Sequence, residues 1–157
     1  MIAPIDHRDP EIAARIHDLQ QASYAVERDL IGVAEFYPLQ VTAEMIRREP
    51  DTFLGFWDGD RLIGVASFTA TAEETDIGRM VVHPAHFRRG TASALLRAVE
   101  ERAAPGQRLT VSTAERNEPA IRLYQCHGFE IARRTVLPEG LALVRLSKTT
   151  APPPPIS

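Results

Sequence analysis

The chain has 157 residues, 44% of them hydrophobic and 25% charged, with one cysteine and a formal net charge of −3. That length suits a single domain with its own core, and the lone Cys126 excludes an intrachain disulfide and fits a reducing compartment. A net negative charge weighs against a general nucleic-acid binder, and no stretch approaches the ~20 apolar residues of a membrane span, so the chain reads as cytoplasmic with neither nucleic acid nor membrane as partner.

Met1 to Ile5 reads as a short strand. From Pro10, capped near Asp9, the spacing of Ile12, Ile16, Leu19, Ala22 and Val26 predicts an amphipathic helix that frays around Asp29–Gly32. Gly32 to Gln40 has no periodicity and reads as a loop, in which Phe36 and Tyr37 either wall a substrate site or pack over a core edge. Thr42 caps a short helix with Met45 and Ile46 turned inward. Thr52–Trp57 and Arg61–Thr69 form a hairpin about Asp58-Gly59-Asp60, because glycine accepts positive φ. Thr75–His83 is the next strand and ends at Pro84, which offers no N–H to a ladder.

A short basic turn follows, Arg88-Arg89-Gly90-Thr91-Ala92, and then a helix to Ala103 on the spacing of Ala92, Leu95, Leu96 and Val99. Strand, small-residue turn and helix make either an ordinary strand–helix connection or an anion site, since a helix start carries unpaired N–H groups and the positive dipole end. Gly90 and Ala92 let a phosphate approach the backbone, with Arg88 and Arg89 adding charge. Leu109–Thr113 returns after one helical crossover and belongs parallel to Thr75–His83. Asn117 starts a helix with Ala120, Leu123, Tyr124 and His127 on one face, closed by Gly128. Phe129–Val136 and Leu141–Leu146 form a last antiparallel pair. Residues 1–148 therefore make one domain, and 149–157 a proline-rich tail.

Charge is unevenly spread, with 15 acidic and 6 basic residues up to Asp76, then 6 acidic and 12 basic. Halves of opposite sign suit an anionic cofactor on one side and a cationic partner on the other, unless the clusters only face solvent. Alternation puts Glu74 and Asp76 on one strand face, where they can form an acidic patch. Arg79, Arg116 and Arg122 read as surface charges. His83 and His86 flank Pro84 without cysteine or carboxylate at ligand spacing, so no metal site is expected. His127 sits where a helix dipole favours it, and nothing near Cys126 would activate it.

Two segments together, VVHPAHFRRGTASALL and LTVSTAERNEPAIRLYQCHGFE, resemble the GNAT superfamily of acyl-CoA-dependent N-acyltransferases. The first resembles the family's pyrophosphate loop, (Gln/Arg)-x-x-Gly-x-(Gly/Ala), with Phe87 departing from its first position and Ala92 within the pattern. The resemblance implies a three-layer α/β fold: a mixed, mostly antiparallel sheet with two splayed parallel central strands and helices on both faces. It implies acetyl-CoA as cosubstrate, with Met80, Val81 and Val82 meeting the acyl group and pantetheine through backbone atoms after a bulge. Arg88, Arg89, Gly90, Thr91, Ala92 and Ser93 would hold the pyrophosphate, and Asn117 the pantetheine arm or a water. By the same resemblance Tyr124 is the general acid and Asp76 stands where relatives carry a glutamate base. Phe36, Tyr37 and Glu74 are the expected acceptor contacts. The implied activity is acetyl transfer to a primary amine of a small molecule or peptide; a non-catalytic acyl-CoA-binding module is the alternative, and a homodimer is left open.

Overall fold

In the computed structural model, which describes residues 1–150, the chain opens with β1 (Ile2–Pro4) and the long helix α1 (Pro10–Ile31). A 3₁₀ turn (Tyr37–Gln40) and α2 (Ala43–Arg47) lead into β2 (Thr52–Asp58), β3 (Arg61–Ala70) and β4 (Glu74–Val82). A second 3₁₀ turn (Pro84–His86) precedes α3 (Thr91–Arg102), followed by β5 (Arg108–Ala114), α4 (Glu118–Cys126), β6 (Glu130–Val136) and β7 (Ala142–Thr149). The strands form one sheet in the order β1-β2-β3-β4-β5-β7-β6, antiparallel except for β4 beside β5. β7 runs on to Thr149, past the expected domain end, and the proline-rich stretch from Ala151 lies outside the described residues. Among the described residues no helix is long and apolar enough to cross a membrane.

Side chains alternate across a strand, and neighbouring residues here serve two separate cores. Phe53, Val65 and Val81 pack on α1 and α2 with Ala13, Ile16, Leu19 and Ile46. Their neighbours Leu54, Ala66 and Val82 face the other way, against Leu95, Leu96 and Val99 of α3 and Tyr124 of α4. Leu95 and Leu96 are completely buried, each contributing about 1.5–3 kcal/mol. The result is helix, sheet, helix.

Helix α1 differs from its expected form at its far end. Asp9 caps the start through bonds to Glu11 N and Ile12 N, as its sequence dictates. Instead of fraying at Asp29, the helix continues to the buried Ile31 and ends on Gly32 in the left-handed region, φ +73°. Its inward face runs Ala13, Ile16, Gln20, Tyr24, Glu27, Ile31, while Val26 is exposed. In α2 only Ile46 is buried; Met45 is turned outward, its sulfur meeting the Thr42 N–H at 3.5 Å.

The sheet opens at one place. β4 and β5 pair only from Glu74↔Arg108 to Ile77↔Val111. Beyond that, β4 pairs with β3 alone and β5 with β7 alone. The cause lies in β4, where the register with β3 steps from Phe68↔Ile77 to Ser67↔Arg79 and leaves Gly78 as an extra residue. Such a bulge bends its strand and reverses which face each later side chain takes. A Cβ there would stand 2.8 Å from Asp51 Oδ2 and would displace that carboxylate. Ile77 therefore points to the α3 side, and Arg79, two residues on, to the α1 side with Val81.

Candidate active site

The start of α3 forms one wall of a groove of about 500 Å³. Arg88 (φ +62°) and Gly90 (φ +78°) are both left-handed, and they turn the chain sharply from the 3₁₀ turn into the helix. Gly90 is the N-cap and has no side chain to bond the first turn, so the N–H groups before Ala94, whose own N–H reaches Gly90 O, point outward unclaimed. Arg88, Gly90, Thr91, Ala92 and Ser93 all line the groove, as does the half-exposed Phe87. Arg89, exposed, is not part of the lining. The opposite wall is α1, through Ser23, Val26 and Leu30. His83 uses its ring inside the turn, Nδ1 accepting from Ala85 N at 3.1 Å.

The β4 backbone enters the same groove selectively. The His83 N–H donates to Ile63 O of β3 at 2.8 Å. N–H directions alternate along a strand, so Val81 also faces β3 while Met80 and Val82 aim theirs into the opening beside β5. Met80 and Val82 line the groove. Val81, expected there too, is withdrawn from it: its backbone belongs to the β3 ladder and its side chain to the α1 core.

Where β4 and β5 part, a smaller chamber of about 220 Å³ joins this groove, the two sharing Glu27, Met80 and Asn117 as walls. Asn117 caps α4 by accepting from Ala120 N at 3.3 Å and donates Nδ2 to Glu27 Oε1 at 3.1 Å. Burial raises the Glu27 carboxyl above the usual carboxylate range, against the lowering effect of that bond from Asn117. Tyr124, only 4% exposed, lines the chamber and holds its phenolic proton strongly, through burial first and then the nearby Glu27 and Tyr24. Tyr24 and Phe36 meet edge to face, 5.9 Å between centroids, on the same wall.

Arg79, expected at the surface, is buried at 8% side-chain exposure and lines this chamber. The bulge at Gly78 turns it inward, a feature that plain alternation does not foresee. Arg116 is exposed, as expected, and donates to Ile31 O at 3.2 Å. Glu27 also escapes the sequence reading, because the spacing through Ala22 and Val26 follows the wrong face. The face that does run inward, 13-16-20-24-27-31, carries a carboxylate among apolar positions, and that was the available signal.

Asp76 and Glu74 share a strand face as expected, but at the closed end of the β4–β5 pair and outside the chamber lining. Arg145 spans them, Nη2 at 3.4 Å from Glu74 and Nη1 at 3.7 Å from Asp76. Asp76 also accepts from Thr110 Oγ1 at 2.6 Å. The acidic patch is thus occupied by a cation of the chain itself. His127 caps the end of α4, and burial lowers its pKa, with Arg97 and Lys148 adding to that and Glu100 opposing it.

On its far side the chamber shares Phe36, Pro38, Leu141 and Leu143 with a wide groove of about 1020 Å³. Tyr37, 64% exposed, lines that groove but not the chamber, as does Glu35. Arg134 is held there by Glu115 through both carboxylate oxygens, at 2.5 and 3.2 Å.

Comparison with known proteins agrees with this architecture. UPF0157 protein YqkA of Bacillus subtilis (strain 168) is 34% identical over 143 residues, 91% of this chain, which spans 42% of that relative's length. A ribosomal-protein-S18-alanine N-acetyltransferase from Escherichia coli shares the fold at TM-score 0.73 and 15% identity, covering 96% of this chain and 94% of its own. An aminoglycoside 6'-N-acetyltransferase solved with coenzyme A does so at TM-score 0.75 and 15% identity, covering 99% of both chains. The sequence model of the acetyltransferase (GNAT) family matches residues 13–129, from the first turn of α1 through the bulged β4, the α3 turn and α4. With its splayed β4–β5 pair and its open helix start, this chain belongs to that family.

Proposed function

We propose that this protein transfers an acetyl group from acetyl-CoA to a primary amine, with Glu27 as proton acceptor and Tyr124 as proton donor. One observation carries the reading: two grooves meet at a chamber whose walls hold a carboxylate and a phenol, both shifted toward keeping their protons. The residues fit acetyl-CoA. The unclaimed N–H groups of Gly90 to Ser93 suit a pyrophosphate, and the walls formed by Met80, Val82, Val26 and Leu30 suit the pantetheine arm. Acetyl-CoA would supply an activated thioester carbonyl.

The chain's own groups then account for the protons. A free alkyl amine titrates near ~10.4 and must arrive neutral or be deprotonated. Glu27, raised by burial, is a stronger base than an exposed carboxylate and takes the proton as the C–N bond forms. The Met80 N–H, free of β3, receives the charge that develops on the carbonyl oxygen. As the C–S bond breaks, Tyr124 gives its proton to the departing sulfur, and the proton on Glu27 restores it across the chamber. Asn117 keeps Glu27 aimed inward. Phe36 and Tyr37 stand on the acceptor side, and a small-molecule or peptide amine would enter through the wide groove.

The test is mass spectrometry of purified protein with acetyl-CoA and pooled amines, antibiotics and peptides, with thiol release followed in parallel. A product heavier by one acetyl group supports the reading. Tight CoA binding with neither product nor thiol release would leave an acyl-CoA-binding module instead.

A further inference from the structure

Volume decides where the body of an acceptor can lie. An apolar cavity of ~150 Å³ is filled by one benzene-sized molecule. The chamber, about 220 Å³, has to admit both the acetyl thioester and the attacking amine, so only a narrow arm of the acceptor fits beside them. The remainder belongs in the wide groove of about 1020 Å³ that continues from the chamber. Two segments supply apolar wall to that groove: Val33, Phe36 and Tyr37 in the stretch after α1, and Leu137, Leu141 and Leu143 about the β6–β7 turn. Tyr37 leaves most of its surface open there, and exposed apolar side chains gathered in a groove mark a binding surface.

Charge separates the candidates. Within the groove Glu115 holds Arg134 through both carboxylate oxygens, and Arg116 donates to Ile31 O. Glu35 and Glu139 meet no cation among the described residues, but both are exposed. An ion pair at an exposed carboxylate contributes little, whereas apolar walls strip water from any charge that lies against them. A carboxylate on the acceptor would in addition face Glu35 and Glu139. Glu74 and Asp76, whose charge points to a cationic partner, lie outside the groove lining and are spanned by Arg145. Covering the apolar walls is therefore the main gain open to an acceptor.

We infer that the acceptor is a hydrophobic primary amine of the arylalkylamine type: an amine on a short unbranched arm that carries an uncharged, ring-sized apolar body. The arm occupies the chamber, and the body covers the walls formed by Tyr37, Leu137 and Leu141. This rests on the acyl-transfer reading above, which seats the amine between Glu27 and Tyr124, and it adds the class of acceptor.

The experiment measures kcat/KM of the wild-type protein for propylamine, 3-phenylpropylamine, spermidine, 4-aminobutyrate and a glycine tripeptide amide, each at equal concentration of neutral amine. 3-Phenylpropylamine is expected to exceed each of the others by at least about tenfold, the scale of burying one phenyl ring. Leu137→Asp puts a charge on the apolar wall outside the chamber and is expected to cut the ratio of 3-phenylpropylamine to propylamine to less than about threefold. Tyr37→Ala, at an exposed position, is expected to lower the same ratio at least about twofold, and it decides where Leu137→Asp does not fold. Any of the other four amines within tenfold of 3-phenylpropylamine, or a ratio unchanged in either folded variant, would overturn the inference. No product from these five while other pooled amines are acetylated would overturn it and leave the acyl-transfer reading intact. No acetylation of the five or of the wider pool would defeat that reading, and the inference with it.

Discussion

The groove at the start of α3 and the chamber beside it are assembled from different lengths of chain. The groove takes its donors from a run of backbone between Met80 and Ser93, where a strand end, a left-handed turn and a helix start follow one another directly. The chamber takes Glu27 from α1, Arg79 from β4, Asn117 and Tyr124 from the α4 segment and Phe36 from the loop after α1. A site of backbone N–H groups tolerates exchange of side chains around it, such as Phe87 on the groove wall. A site of side chains gathered from distant elements has no such tolerance. Each of its members owes its position to a separate piece of packing.

The largest expected effect therefore falls in the chamber. Glu27→Gln preserves shape and the contact with Asn117 but removes the proton acceptor, so kcat/KM for an amine should fall by about 10²–10⁴-fold with CoA affinity unchanged. The wild-type rate should rise with pH through a step above the ordinary glutamate range, since burial raises that carboxyl and only its ionised form accepts a proton. In Glu27→Gln that step should vanish from the pH–rate profile. If the step persists, another group is the base.

Tyr124→Phe comes next. It keeps the ring packed 5.6 Å from Phe129 and removes only the phenolic proton. Folding and CoA binding should persist while kcat falls roughly 10²-fold. Single-turnover kinetics with unchanged thiol release would make Tyr124 a packing residue.

The difference between the two regions also explains what the sequence disclosed. The turn at Gly90, the helix it starts, the crossover to β5 and the Asp58-Gly59-Asp60 hairpin depend on neighbours in sequence, and local chemistry predicts them. Tyr124 was legible because it stands on a clear apolar face with Ala120 and Leu123. Glu27 was not, because two overlapping faces compete along α1 and the one through Val26 turns out to be exposed. Arg79 was hidden by a single inserted residue, Gly78, which reverses strand parity after Ile77. Asp76 lay on the expected strand face, but the partner that occupies it, Arg145, comes from β7, far away in sequence.

Breaking the groove should cost less than breaking the chamber, and in binding rather than turnover. Gly90→Asp places a negative charge at the start of α3 where a phosphate is expected. A Cβ at that position meets nothing within 4 Å, and aspartate tolerates the left-handed φ of +78° better than most residues, so the fold should survive. Calorimetry should show CoA binding weakened about tenfold, or ~1.4 kcal/mol. Unchanged affinity would remove this turn from the phosphate site.

The smallest effect is expected at Asp76, and it sharpens the contrast most directly. Asp76 lies on the same strand as Arg79 and Met80 but before the bulge, where β4 is still paired with β5. Its carboxylate accepts from Thr110 Oγ1 and sits 3.7 Å from Arg145, with side chains 42% and 37% exposed. At that exposure an ion pair is worth no more than about 1 kcal/mol, and asparagine can still accept the Thr110 bond. Asp76→Asn should then lower thermal stability only slightly and change kcat/KM by less than about twofold, with the pH–rate profile intact. If Asp76 were the base, working through a water, the same change would cost about 10²-fold or more and erase the pH step that is assigned here to Glu27. Measuring both variants on one acceptor at several pH values distinguishes the two carboxylates, because only the one that faces the reacting amine can move that step.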